Sequence, residues 1–168
     1  MAYQVITPTD LTSVNRTFQI IQADFSKLGV TLTQKALDSS AAFDAITAPG
    51  TKYLNFDLAM WDWVALVDPD FMLSVVTCDQ YGGWSDSGFC DKRYDALYTK
   101  QQLTPNQASR KAVVWQMQKY LAQKRPYLWL AALDHVSAVS PKWAGLVDSG
   151  QGPFNSISKA SLTSVHQT

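Results

Sequence analysis

The sequence predicts an α/β fold, a mixed sheet with helices packed on it, and three observations carry the expectation. A strand, an amphipathic helix and a β-branched strand succeed one another between residues 3 and 37. Helical apolar spacing returns over 94–101 and 104–124. Between these blocks the stretch FDLAMWDW alternates like a strand.

Tyr3 to Ile6 reads as the first strand. After Asp10, a candidate cap, apolar residues recur at Leu11, Val14, Phe18, Ile21, Phe25 and Leu28, one face of a helix, and Gly29 supplies the left-handed stop. VTLTQKAL, residues 30–37, then makes the trio a parallel βαβ crossover. Asp38 to Ile46 reads as a short helix opened by Asp38 or Ser39 and closed near Ala48, Pro49 and Gly50. On the strand of residues 56–63, Trp61 and Trp63 stand two apart and share a face. Asp68 can cap a helix that takes Pro69 at its first position and runs to about Val76. Tyr94 to Gln101 is helical, and Thr104, Pro105, Asn106 and Gln107 have the form of a capping box with Pro at the first helical position. The helix it opens runs to about Lys124 with an inner face of Ala108, Ala112, Val113, Met117, Tyr120 and Leu121. After Pro126, YLWLAALDHVSAV reads as two strands turning at Asp134 and His135. Residues 141–152 read as loop, and 153–168 as polar and weakly patterned.

A chain that is 46% hydrophobic and 17% charged is globular, and fourteen basic residues against fourteen acidic ones leave no footprint for nucleic acid or an anionic membrane. No apolar run is long enough to span a bilayer, and MAYQVITPTD lacks a secretory pattern. A nucleophile beside a base is not in evidence: there is no G-x-S-x-G elbow, and the histidines are His135, in a turn, and His166, near the end. Phosphate-binding glycine loops are missing too, and Asp68 and Asp70 read as turn and cap residues before metal ligands. The expectation is therefore no catalysis, no cofactor and no metal.

Cys78 and Cys90 flank the Gly/Ser/Asp-rich segment DQYGGWSDSGF. A bridge there would contribute roughly 3 kcal/mol and imply an oxidising compartment, whereas two buried free thiols fit the spacing equally. The Trp61 and Trp63 pair makes either a core slab or a stacking wall, and the Asp-Pro-Asp turn after it favours a wall, because ligands of open α/β sheets sit beyond strand ends.

Several stretches resemble one family in order along the chain. FQIIQADFSKLGVTL, FDLAMWDWVALVDPDFML, FCDKRYDALYTKQQ, and the helix 106–123 with the following RPYLWLAALDHVSAVSPKWAGL are similar to motifs of the extracytoplasmic solute-binding proteins of peptide- and nickel-type ABC transporters. The matches span residues 18–146. The resemblance implies a type II periplasmic-binding-protein-like lobe: residues 1–150 as the C-terminal lobe of a clamshell, and 151–168 as a tail returning to a missing N-terminal lobe. It implies a small-molecule, peptide or oligosaccharide solute, an ABC permease as membrane partner, and a periplasmic or lipid-anchored cell-surface location. It also implies a Cys78–Cys90 disulfide and a cleft with Trp63 as a wall; Trp61 beside it and the loop 79–89, with Tyr81 and Trp84, as a rim complete the expected site. In the family's peptide binders an acid three residues after the tryptophan anchors the peptide ammonium. Here that position is Leu66, and Val64 to Val67 is one residue short of the pattern. Leu66 cannot bond a buried ammonium, so a ligand held by stacking and hydrogen bonds fits at least as well. The alternative from another class is a stand-alone extracellular module that binds a protein or glycan.

Overall fold

A computed structural model of the chain describes residues 1–47, 55–64, 66, 68–132, 140–145 and 163–168. They fall into two units, Met1–Trp63 with Met72–Tyr127, and Val64–Phe71 with Leu128–Thr168.

The first unit is built around β1 (Ala2–Pro8), which lies in the middle of a parallel sheet of order β2-β1-β3. The predicted crossover forms: α1 (Thr12–Lys27) leads to β2 (Thr31–Leu37), which pairs with β1 from Ala2↔Thr31 to Pro8↔Leu37. Neighbouring strand residues point to opposite faces, so Val5 packs with Phe18 and Leu32 under α1. Ile6 packs with Ala42 and Ile46 of α2 (Ser39–Thr47) on the other face. Helices on both faces are why Val5 to Pro8 are all buried.

The caps differ in part from expectation. Asp38 accepts the Ala41 N–H at 3.0 Å and opens α2 as predicted. Its predicted closure at 48–50 lies outside the described residues. Asp10 does not cap α1. Leu11 holds that position without a side-chain bond, because the Asp10 carboxylate accepts the Ser39 hydroxyl at 2.5 Å instead. Gly29 ends the α1 region with φ +75, and nothing lies within 4 Å of the point a Cβ would occupy, so an alanine there meets only backbone strain. Gly29→Ala should therefore cost about 1 kcal/mol, read as a drop of roughly 3 °C in a thermal melt.

The strand expected over 56–63 is only two residues long, β3 (Leu58–Ala59), paired Val5↔Leu58 and Ile6↔Ala59. Its length is limited by β1. The Ile6 carbonyl faces β3 and accepts the Met60 N–H at 2.9 Å, so two residues on the nitrogen of Pro8 faces the same way and carries no hydrogen. The chain leaves the sheet there, with Trp61 and Trp63 beyond its edge.

The short helix α3 (Asp70–Ser74) starts one residue after Pro69, with Asp68 Oδ1 accepting the Asp70 N–H at 2.9 Å. A 3₁₀ turn, Cys78–Gln80, follows. Asp91 caps α4 (Lys92–Gln102) by accepting the Arg93 N–H. The cap of α5 (Gln107–Lys124) is Asn106, which accepts the Ser109 N–H at 3.0 Å. The expected box at Thr104 does not form, because its hydroxyl donates back to the Lys100 carbonyl at 2.6 Å and finishes α4. The buried face of α5 is Val113, Val114 and Met117, with Tyr120 and Leu121 packed beside it. Ala108 and Ala112 are exposed, since the stripe turns toward the longer side chains. Leu73, Val76 and Tyr94 complete this helical core.

In the second unit, residues 128–132 carry no strand where one was predicted, and the predicted turn lies within 133–139, outside the described residues. Leu128, Trp129 and Leu130 are all exposed. Part of the predicted loop 141–152 is instead a strand, β4 (Trp143–Ala144), paired antiparallel with β5 (His166–Gln167). Gly145 follows at φ +83, where a Cβ would lie 2.0 Å from the Ser164 carbonyl oxygen. Residues 146–162, most of the predicted tail among them, lie outside the described residues.

Candidate functional site

The three strands run parallel in the order 2-1-3, and in open parallel α/β sheets ligands sit beyond the carboxyl ends of the strands. The segment after β3 supplies Trp61 and Trp63 there, and α2, which starts at the same end of the sheet, supplies Phe43. The Phe43 ring lies 5.9 Å from that of Trp61 and, edge to face, 5.6 Å from that of Trp84. Trp63 and Trp84 are 6.3 Å apart. Trp61 also packs on the Ile6, Ala42 and Ile46 cluster, so it is half core and half wall. Trp84 is 50% exposed and offers the most open ring.

The loop that carries Trp84 is held at both ends. Cys78 and Cys90 are disulfide-bonded with Cα atoms 4.4 Å apart. The Cys78 N–H donates to Asp95 of α4 at 3.0 Å, and Asp91, next to Cys90, caps the same helix. Within the loop, the Gly83 and Ser85 amides both donate to the Gln80 carbonyl, at 2.8 and 3.0 Å. Ser85 is buried, and among the described residues its hydroxyl has no hydrogen-bond partner.

Behind the rings lies Asp86, 8% exposed. Its Oδ2 accepts the Trp63 Nε1–H at 2.9 Å, and its Oδ1 accepts the Tyr127 hydroxyl. Burial pushes its carboxyl above the usual carboxylate range, although both hydrogen bonds pull the other way. Burial, reinforced by this carboxylate, pushes the Tyr127 phenol up as well. The Trp63 N–H is thus committed to Asp86. Aromatic rings so grouped can stack on sugar or planar groups. Among the described residues no three His, Cys, Asp or Glu side chains gather to hold a metal, and no helix is long and apolar enough to cross a membrane.

Of the residues singled out from sequence, Trp61, Trp63 and Trp84 lie together and Cys78 is bridged to Cys90. Tyr81 is half-buried, and its amide closes the turn onto the Cys78 carbonyl at 3.2 Å. Leu66 is 59% exposed and belongs to the second unit. Asp68 serves its turn, and His166 Nδ1 lies 2.9 Å from the Ser164 carbonyl oxygen. His135 lies outside the described residues. The sequence reading missed Phe43, Asp86 and Tyr127. Phe43 was detectable, since Ala42 and Ile46 define the inner face of α2 and leave a large apolar ring just off it. Asp86 sits among Ser and Gly and looks like any turn residue.

No family model matches the chain, and no curated protein does. Solved structures do. A periplasmic binding protein of Helicobacter pylori, DppA, in complex with the peptide STSA, superposes with a TM-score of 0.64 at 17% identity over 76% of this chain and 24% of that one. A dipeptide-binding protein of Pseudoalteromonas sp. SM9913, in complex with Met-Leu, gives 0.66 at 19% over 74% and 25%. NikZ of Campylobacter jejuni, in complex with Ni(L-His), gives 0.58 at 22% over 74% and 25%. The chain has the fold of a lobe of the peptide- and nickel-type ABC solute-binding proteins. It spans about a quarter of the length of each of these structures. The likeness in fold is the one that the motif order implied.

Proposed function

We propose that the chain is the C-terminal lobe, residues 1–150, of an extracytoplasmic solute-binding component of an ABC importer. It takes a small solute against the Phe43, Trp61, Trp63 and Trp84 wall and presents it to a membrane permease. An N-terminal lobe outside this chain closes the cleft, and residues 151–168 return toward it. The observation that carries the reading is the aromatic wall at the carboxyl ends of a parallel sheet, where such folds take ligands. Solved structures with this fold hold peptides or a nickel–histidine chelate, and the disulfide suits a periplasmic or cell-surface location. Nothing in the wall calls for a catalytic role. With Leu66 at the family's acid position, the solute is held by ring stacking and hydrogen bonds, as a sugar or a peptide bound without an ammonium anchor would be.

The test is a thermal-shift and tryptophan-fluorescence screen of the chain, alone and joined to an N-terminal lobe, against Met-Leu, STSA, maltotriose and the nickel–histidine chelate. One class should shift the joined protein, and Trp63→Ala and Trp84→Ala should each weaken it by about tenfold, ~1.4 kcal/mol of stacking. Silence from all four probes overturns the reading. A second reading, a stand-alone module that binds a protein or glycan, is favoured by the exposed run Leu128, Trp129 and Leu130, and would move ahead in that case.

A further inference from the structure

Asp86 meets the aromatic wall from behind and occupies a singular place in the chain's path. Its two acceptor bonds go to the last residues of the two segments that make the first unit: Trp63 closes Met1–Trp63 and Tyr127 closes Met72–Tyr127. One carboxylate, inside a loop fixed by the Cys78–Cys90 bridge, ties down both segment ends. The bond to Trp63 also sets the direction of the indole N–H, and with it the plane in which the ring lies 58° from that of Trp84.

For stability alone a carboxylate is a poor choice here. Burial disfavours its charge, and both donors are neutral groups that a neutral acceptor would satisfy at less cost. No basic group among the described residues contributes to its titration; its titratable neighbour is Tyr127, which in turn is coupled to Tyr94. Nor is Asp86 arranged to bond a solute itself, because it is buried and each oxygen already accepts a hydrogen bond.

We infer that Asp86 is a positioning residue of the binding site: by accepting the Trp63 N–H it orients the indole within the wall and takes that donor out of solute recognition. The inference rests on the reading of the wall as the solute site. Without Asp86 the indole would lose the bond that directs its N–H, and each binding event would have to order it again.

The experiment uses the full chain labelled with ¹⁵N at tryptophan, in which Trp63→Phe identifies the Trp63 indole resonance. Asp86→Ala should move that resonance upfield, Asp86→Asn, which retains a neutral acceptor, should move it less, and the exposed neighbour variant Asp62→Asn should leave it in place. In the wild type the resonance should also follow acidification as the carboxyl protonates, and in Asp86→Asn it should not. Affinity for Met-Leu and maltotriose, measured on the joined protein, should fall about fivefold to tenfold in Asp86→Ala and less in Asp86→Asn. A Trp63 resonance indifferent to Asp86→Asn and to acid overturns the inference, and these two measurements decide even if Asp86→Ala does not fold. If a probe binds while the resonance stays put, the role of Asp86 alone falls. If the resonance behaves as expected but neither probe binds the wild type, the solute-site reading falls and takes the positioning role with it.

Discussion

Opening the Cys78–Cys90 bridge, by reductant or by the paired change Cys78→Ser and Cys90→Ser, is expected to cost about 3 kcal/mol. The bridge joins residues 12 apart in sequence, so it removes the closure entropy of a short loop from the unfolded chain. In a chain of this size the loss reads as roughly 6–12 °C in the melting midpoint. The effect should reach the wall as well, because the loop supplies both Trp84 and Asp86. Tryptophan emission should therefore shift to the red on reduction, before the global transition. The check is a melt followed by circular dichroism and fluorescence, with and without reductant. A change under about 2 °C would mean that the Asp95 bond to the Cys78 amide and the Gln80 turn hold the loop without the covalent link.

Tyr94→Ala should be the most damaging single change in the helical core, at about 4 kcal/mol. The side chain is fully buried at the centre of the cluster made by Leu73, Val76, Val113, Val114 and Met117. Its ring meets Phe89 edge to face at 6.1 Å, and its hydroxyl donates to the Leu73 carbonyl at 2.8 Å. Tyr94→Phe keeps the volume and strands only that carbonyl, so it should cost about 1 to 2 kcal/mol. Chemical denaturation of both variants separates cavity from hydrogen bond. Burial also raises the phenol pKa, so the folded state holds the proton more tightly than the unfolded one. That contribution is complete below the unfolded value of about 10 and is lost as pH climbs beyond it. The wild type should lose stability above pH ~10 more steeply than Tyr94→Phe, with Tyr127 accounting for the remainder.

Local pattern carried much of the fold. The apolar spacing from Val14 to Phe25, the stop at Gly29 and the β-branched start of β2 each needed no information from distant residues, and the crossover followed from them. What failed depended on partners. The strand through Trp63 was cut short by Pro8, far earlier in the chain, and the register that brings them together is invisible in a local alternation. Asp10 lost its capping role to a hydroxyl on α2, and Thr104 lost its own to the preceding helix. The site divides the same way. Tryptophan spacing pointed to Trp61 and Trp63, and the cysteine pair drew notice to Trp84 between them. Asp86 and Tyr127 matter only because folding brings a loop turn against the segment that follows α5.

The position of β1 has a consequence for synthesis on the ribosome. Of the three strands of this sheet the earliest in sequence lies in the middle, and both of its neighbours are encoded after it. At translation speeds of about 5–20 residues per second, Val5 and Ile6 wait on the order of seconds for β2 and longer for β3. During that interval α1 is the nearest cover, and its Phe18 already faces Val5 in the finished structure. Slow codons within 12–37 would lengthen the time that an unpaired apolar edge is open to a neighbouring nascent chain, so the reading frame is most sensitive to pausing there.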